Sequence, residues 1–561
     1  MKRFLLFCAA LLLSAGAQAF TIHLLGDSTM SPKNISSGTV DRGWGMMLPN
    51  FLDDSVKVIN YARGGRSTKS TIAHRHWEEA KTNMKAGDYL FMQFGHNDQK
   101  EYDPDRYSPP YGLYQENLRL FCNTALEKGV TPVIITPICR RLFNDGVLDR
   151  SNLGDYADAA RKVAAELGVA LIDANAMTAE WLESLGDEAS KPYFCWFEAG
   201  KYAFHPEARS DNTHLNVRGA RKVAELVCSA FPSCLPELAA HLVHHDFVVA
   251  KDGTGDFFTV QEAVDAAPDY LHQGVTDILI REGVYREMVT IPANKQRLHI
   301  SGEGPDRTVI EFGKYAEAMW PDTDIKVGTS GSASMYIHAS HVTLENLTVA
   351  NTAGSGDGIA QAVALFTDGD FLFFHNCRFL GNQDTVYTFG RYGYNGGVCR
   401  NYFLDCYIEG TTDFIFGPSI VYFENCTIHS KKNSYVTAAS TFKGQKYGYV
   451  FRNCRLTADE GITRCYLGRP WGAYARTVFI GCELGGHIVS EGWHDWEKPG
   501  KPDTKKNSYY AEYGCTGPGA SLEGRVKWAH KLTARQAAEY TFENIMYQSG
   551  DGAVWNPFDN R

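Results

Sequence analysis

The chain has 561 residues, a formal net charge of −10, 44% hydrophobic residues and 21% charged residues. That length exceeds what one hydrophobic core usually serves, so two large domains, or one domain and a long repeat, are expected. The globular balance excludes extensive disorder, and the negative charge excludes nonspecific binding to nucleic acid or an anionic membrane, both of which need clustered Lys and Arg.

Lys2-Arg3, an apolar run over residues 4–13 and Ala17-Gln18-Ala19 follow one another at the start. These are the charged, apolar and small-residue zones of a secretory signal peptide. Residues 1–19 are therefore expected to be cleaved after Ala19, with the mature chain exported to the periplasm or the medium. Cys8 lies inside the apolar run behind the bulky Phe7, a poor setting for lipid attachment. No later stretch approaches about 18 consecutive apolar residues, so no membrane insertion is expected. Thirteen cysteines remain after the leader, an odd number at spacings that match no CxxC metal pattern.

Residues 20–232 alternate short apolar runs (21–25, 89–94, 133–136, 169–173) with helical text such as the Ala-rich 156–167. Strand and helix in alternation predict a parallel sheet covered by helices. Residues 233–246 hold Pro236 and three histidines without a strong pattern and are the expected linker. Four short blocks stand out in the first half. Gly26-Asp27-Ser28-Thr29 directly follows the first strand, and Gly64-Gly65-Arg66-Ser67, Gly95-His96-Asn97-Asp98 and Asp211-Asn212-Thr213-His214 come after it in order. Taken singly, Ser28 reads as a turn residue and His214 as a helix-cap or surface histidine. As a set the blocks resemble those of SGNH hydrolases, most closely the rhamnogalacturonan acetylesterases. The resemblance implies an α/β, flavodoxin-like three-layer sandwich. It also implies Ser28 as nucleophile, His214 as its base and Asp211 as the carboxylate orienting the imidazole. The Ser28 and Gly65 amides and the Asn97 side chain would then bind the oxyanion.

Residues 247–561 change character, becoming short β-like runs rich in Phe, Tyr, Val, Thr and Asn. Six of them align: 344–349, 374–379, 403–408, 423–428, 451–456 and 479–484, recurring at intervals of 30, 29, 20, 28 and 28 residues at their fourth position. A period of this size predicts a solenoid whose coils share one long core, as in a parallel β-helix. Cys377, Cys406, Cys426, Cys454 and Cys482 fill that fourth position and read as a stack of small interior side chains rather than as disulfides.

Two carboxylates sit in unusual text: Asp384 in Gly381-Asn-Gln-Asp-Thr-Val-Tyr387 and Asp413 in Gly410-Thr-Thr-Asp-Phe-Ile-Phe-Gly417. They are 29 residues apart, about one coil, and successive coils stack about 4.8 Å apart. Two carboxyls that close split into one neutral and one ionised group, the pairing an acid and a nucleophile need. From spacing alone, Asp beside Gly and Thr also reads as a turn residue. These two segments, with Gln361-Ala-Val-Ala-Leu365 and Leu467-Gly-Arg-Pro-Trp471, resemble the ordered signature set of pectin methylesterases. The likeness runs from residue 247 through Gly283-Val-Tyr-Arg-Glu287 to Gly524-Arg-Val-Lys-Trp528.

That second resemblance implies an all-β right-handed parallel β-helix. Asp413 would form an acyl-enzyme with a galacturonate methyl ester, and Asp384 would protonate methanol and then activate water. Gln361 and Gln383 would donate to the oxyanion. Arg469 would hold Asp413 oriented and ionised, although a loop-closing salt bridge is the alternative from the residues alone. Trp471, Tyr387 and Phe416 would face sugar rings. No metal and no cofactor are expected. A Gly- and Tyr-rich stretch, 389–397, departs from the family pattern and is expected to enlarge a loop at the cleft edge. The whole reads as a secreted monomeric enzyme that removes methyl and acetyl esters from pectin, homogalacturonan and acetylated rhamnogalacturonan. Another acetylated glycan such as xylan, and pectin binding without turnover, are the alternatives. A pectate lyase would need a calcium-binding carboxylate cluster, which the text around Asp384 and Asp413 lacks.

Overall fold

The structure, a computed structural model, describes residues 20–356, 358–390, 399–496, 503–547 and 555–560. It divides into two compact units, one ending at His244 and the other starting at His245.

In the first unit five parallel strands lie in the order Val56–Asn60, Phe20–Gly26, Tyr89–Gln93, Thr131–Ile135, Ala170–Ile172. Successive side chains of a strand point to opposite faces, and here both faces are covered. Ile22, Leu24, Phe91 and Val133 pack with helix Val217–Ser229, whereas Leu25, Leu90, Met92 and Ile134 pack with helices Gln115–Glu127 and Gly154–Leu167. Burial on both faces makes the central strands nearly continuous apolar text, and so legible in the sequence. The edge strand Val56–Asn60 exposes Lys57 and half-buries its last three residues, a pattern too weak to be read in advance. Because all five strands are parallel, Ser28 and Asn97 emerge at the same carboxyl edge, from neighbouring strands.

The stretch expected as a linker is in part helical. Helices Phe231–Cys234 and Pro236–Ala239 each carry a proline in the first turn, where its missing N–H costs nothing. Phe231, Leu235 and Leu238 are buried in the first core, so this segment completes that unit rather than merely leaving it.

The second unit is a parallel β-helix. Its described strands form three all-parallel sheets of eleven, eight and seven strands, and each central coil places one strand in each sheet. The coil through Asp384, for example, contributes Leu372–His375, Arg378–Leu380 and Val386–Thr388. Helix Val260–Ala266, opened by a Thr259/Glu262 capping box, lays Val260, Ala263 and Val264 onto the core.

The six aligned runs are not single strands. Each bends at its third residue, which adopts the left-handed conformation: Asn346, Asn376, Asp405, Asn425, Asn453 and Gly481 have φ of 57, 48, 54, 54, 52 and 63°. Asn, Asp and Gly tolerate that region best, and this explains the recurring Asn-Cys as a corner between two sheets. After the corner the thiols of Cys377, Cys406, Cys426, Cys454 and Cys482 turn inward, buried and unpaired. The first-position rings stack along the same core, with centroids 4.4 Å apart for Phe374 and Phe403 and 4.3 Å for Phe451 and Phe479.

A corner held this way makes a measurable demand. Asn453→Val is expected to cost about 1–2 kcal/mol in denaturant unfolding of the β-helix, and Asn453→Gly distinctly less. Equal losses would show that the left-handed backbone is not what the position selects.

Candidate active sites

Asp384 and Asp413 each sit two residues before a strand of the seven-stranded sheet, Val386–Thr388 and Ile415–Gly417. Those strands pair Val386 with Ile415 and Tyr387 with Phe416, an offset that also stacks Asp384 on Asp413 one rung apart. Both aspartates are left-handed, with φ of 67 and 49°. Their amides donate onward along the ladder, Asp384 N to Thr412 O at 3.1 Å and Asp413 N to Tyr435 O at 2.8 Å. Gly410 is required before this turn, since a Cβ there would collide with Phe414.

Both carboxyls are buried, with exposures of 8% for Asp384 and 6% for Asp413. Burial and the neighbouring Asp413 carboxylate push Asp384 well above the usual carboxyl range, against the pull of Arg469. Arg469 is committed to the other partner: Nε donates to Asp413 Oδ1 at 3.0 Å and Nη2 to Oδ2 at 2.6 Å. A planar fork on two carboxylate oxygens fixes the orientation of the group that accepts it. The pair is therefore unequal, with a proton favoured on Asp384.

These groups open into a cleft of about 640 Å3 that is also lined by Gln361, Gln383, Tyr387, Phe416 and Trp471. The eight site residues expected from sequence in this unit thus all line one cleft. Trp471 is 42% exposed, whereas Tyr387 and Phe416 stack on each other at 4.1 Å and are nearly buried. Sequence reasoning missed Val327, Gly328, Thr329, Ser330 and Trp496, which also line the cleft. They come from distant loops and carry no motif. Of the Gly- and Tyr-rich stretch 389–397, residues 391–397 lie outside the described residues.

In the first unit, His214 Nε2 lies 3.1 Å from Ser28 Oγ and His214 Nδ1 lies 2.8 Å from Asp211 Oδ2. Asp211 Oδ1 accepts the amides of Thr213 and His214 at 2.8 and 2.9 Å, and Arg209 Nη2 donates to Oδ2 at 2.7 Å. Burial would raise Asp211, but hydrogen bonds from His214 and Arg209 hold it far below the usual carboxyl value. Gly65 is left-handed at φ 74°, and a Cβ on Gly64 would sit 4.0 Å from Ser28 Cβ, so the Gly-Gly turn faces the serine. Asn97 Nδ2 donates to Arg66 O at 3.0 Å, tying the third block to the second and leaving its other N–H to point elsewhere.

Besides Arg209, four further cations lie close to this centre, and none was anticipated. Lys33 Nζ donates to Ser28 O at 2.7 Å, Lys100 Nζ to Asn97 Oδ1 at 2.8 Å and Arg140 Nη1 to Thr213 Oγ1 at 2.6 Å. The Arg106 guanidinium would lie 3.7 Å from a Cβ on Gly65. They are single basic residues spread over some hundred positions, so only folding groups them.

The two constellations define a carboxylic ester hydrolase. Residues 246–550 match the family model described as Pectinesterase, and residues 24–222 match that of the GDSL-like Lipase/Acylhydrolase family. The chain belongs to the pectinesterase family. It is 35% identical over 302 residues to Pectinesterase 31 of Arabidopsis thaliana, covering 53% of this chain and 91% of that protein. With Pectinesterase 4 of Arabidopsis thaliana it shares 37% over 310 residues, 53% of this chain and 49% of that one. Among solved structures, pectin methylesterase from carrot matches with a TM-score of 0.49 and 33% identity, covering 54% of this chain and 93% of that one. Pectin methylesterase PemA from Erwinia chrysanthemi matches with a TM-score of 0.48 and 30% identity, over 56% and 99%.

The raised Asp384 links ionisation to stability. The folded protein binds its proton more tightly than the unfolded chain does, so stability falls as pH rises from about 3.9, the unfolded value, through the folded value. Asp384→Asn removes that loss. Its melting temperature is expected to exceed that of the wild type at neutral pH, with the gap closing below about pH 4. Parallel melting curves at all pH would contradict an uneven pair.

Proposed function

We propose that the β-helix hydrolyses galacturonate methyl esters of pectin and that the first unit removes O-acetyl groups from rhamnogalacturonan or pectin, in a chain exported by residues 1–19. The observation that carries the first half is the unequal carboxyl pair, one group pushed toward its neutral form by burial and its anionic neighbour and the other held by an arginine fork. Asp413 attacks the ester carbonyl carbon, and the negative oxygen of the tetrahedral intermediate is met by the Gln361 and Gln383 amides. Asp384 gives its proton to the departing methanol, leaving an acyl-enzyme on Asp413. The resulting Asp384 carboxylate then takes a proton from water, whose oxygen attacks the substrate acyl carbon. Galacturonate leaves, the Asp413 carboxylate returns, and Asp384 is again the acid. Tyr387, Phe416 and Trp471 offer apolar surface to the sugar rings.

In the first unit Ser28 attacks the acetyl carbon while His214 takes its proton and Asp211 holds the imidazolium. The Ser28 and Gly65 amides and the second N–H of Asn97 serve the oxyanion. His214 gives its proton to the departing sugar oxygen, freeing the sugar hydroxyl and leaving the acetyl group on Ser28, and water, deprotonated by His214, then attacks that ester to release acetate and restore Ser28. The ring of Lys33, Lys100, Arg106 and Arg140 favours an anionic glycan over neutral xylan.

Methanol and acetate followed in parallel from one methylated, acetylated pectin test both halves. Asp413→Ala is expected to lower methanol release about ten-thousandfold or more and to spare acetate, and Ser28→Ala to do the reverse. Acetate from xylan but not from pectin would overturn the glycan assignment. Loss of both products from one substitution would overturn the two-centre reading, and no turnover by the wild type would leave pectin binding alone.

A further inference from the structure

Arg469 is held on its faces as well as at its edge. Its central carbon lies 3.9 Å from the ring centroid of Tyr435 and 3.9 Å from that of Trp496. Both distances are well inside the roughly 6 Å over which an aromatic face attracts a cation. The rings come from different places. Tyr435 opens strand Tyr435–Ala439, in the coil between those of Asp413 and Arg469, and its own carbonyl accepts the Asp413 amide at 2.8 Å. Trp496 belongs to the segment after Trp493 and also lines the cleft. Tyr435 is itself backed by Tyr466, stacked at 5.3 Å, and by His494 at 5.4 Å, so it cannot swing away freely.

We infer that Tyr435 and Trp496 are positioning residues, an aromatic clamp that keeps the Arg469 guanidinium in the plane from which it meets both oxygens of Asp413. The inference rests on the methylesterase reading above. Its physical reason lies in the charge Asp413 carries through turnover. A carboxylate holds a guanidinium by charge, and Asp413 loses that charge while it bears the acyl group. The salt bridge therefore weakens in the very intermediate that must be hydrolysed. Attraction to a ring quadrupole does not depend on Asp413, so the clamp holds the fork in place until the carboxylate re-forms. Without the rings a long side chain of several torsions would disperse among rotamers at that stage.

The effect should appear in turnover rather than in affinity. For methanol release from methylated pectin, Tyr435→Leu is expected to lower kcat about tenfold or more with KM within about twofold, and Tyr435→Phe, which keeps the ring face, to stay within about twofold of the wild type. Trp496→Leu and Trp496→Phe, compared at saturating substrate because Trp496 lines the cleft, should repeat the contrast and decide the matter if Tyr435→Leu does not fold. Folded Leu variants with wild-type kcat would overturn the clamp, as would Phe variants as impaired as the Leu ones. A wild type that releases no methanol would instead overturn the methylesterase reading itself.

Discussion

Stacking one coil of a parallel β-helix on the next forces equivalent positions to within about 4.8 Å of each other, and this places two carboxyls where both cannot be ionised cheaply. The ladder pairing of Val386 with Ile415 therefore does more than extend a sheet. It sets the distance at which Asp384 and Asp413 compete for a proton, and the asymmetry of their surroundings decides the outcome. Asp413 receives both donors of Arg469, while Asp384 is left in a buried site beside an anion. The left-handed turns, the glycine before Asp413 and the rings on Arg469 all serve to keep that geometry from relaxing.

The first unit meets the same chemical demand in a different way. A hydroxyl has no charge to share, so the nucleophile is activated by a base at hydrogen-bond distance. Asp211 and His214 lie three residues apart on strand Arg209–Leu215, and one short segment presents both groups to Ser28. Rigidity comes from Arg209 and from backbone amides rather than from a stack of coils. The solenoid sets its reacting groups by translational repeat, and the α/β unit sets its own by the shared carboxyl edge of parallel strands.

Much of this was legible in the sequence, for physical reasons. The repeat of Phe at the first position and Cys at the fourth announces a solenoid because each coil must refill the same core slot. What the repeat does not announce is the corner: Asn376 and its equivalents look like strand residues until their positive φ is seen. Asp384, Asp413, Gln361, Gln383 and Arg469 stood out because compact motifs carry them, and so did Ser28, Asp211 and His214. Tyr435, Trp496 and the loop through Thr329 did not, since their roles depend on contacts between coils that leave no local pattern. The same holds for Lys33, Lys100, Arg106 and Arg140, each unremarkable in its own segment. Part of the stretch 233–246 is helical for the opposite reason: Pro236, a breaker in sequence terms, opens a helical turn there.

The most direct test of the account is a difference infrared spectrum of the wild type against Asp384→Asn at neutral pH. A neutral carboxyl and a carboxylate absorb separately, so the method reports where the proton resides. The account predicts a protonated-carboxyl band in the wild type that is missing from the variant and that fades only when the pH is raised beyond the ordinary carboxyl range. A difference spectrum containing only an ionised carboxylate would contradict it, because the pair would then have no resident acid.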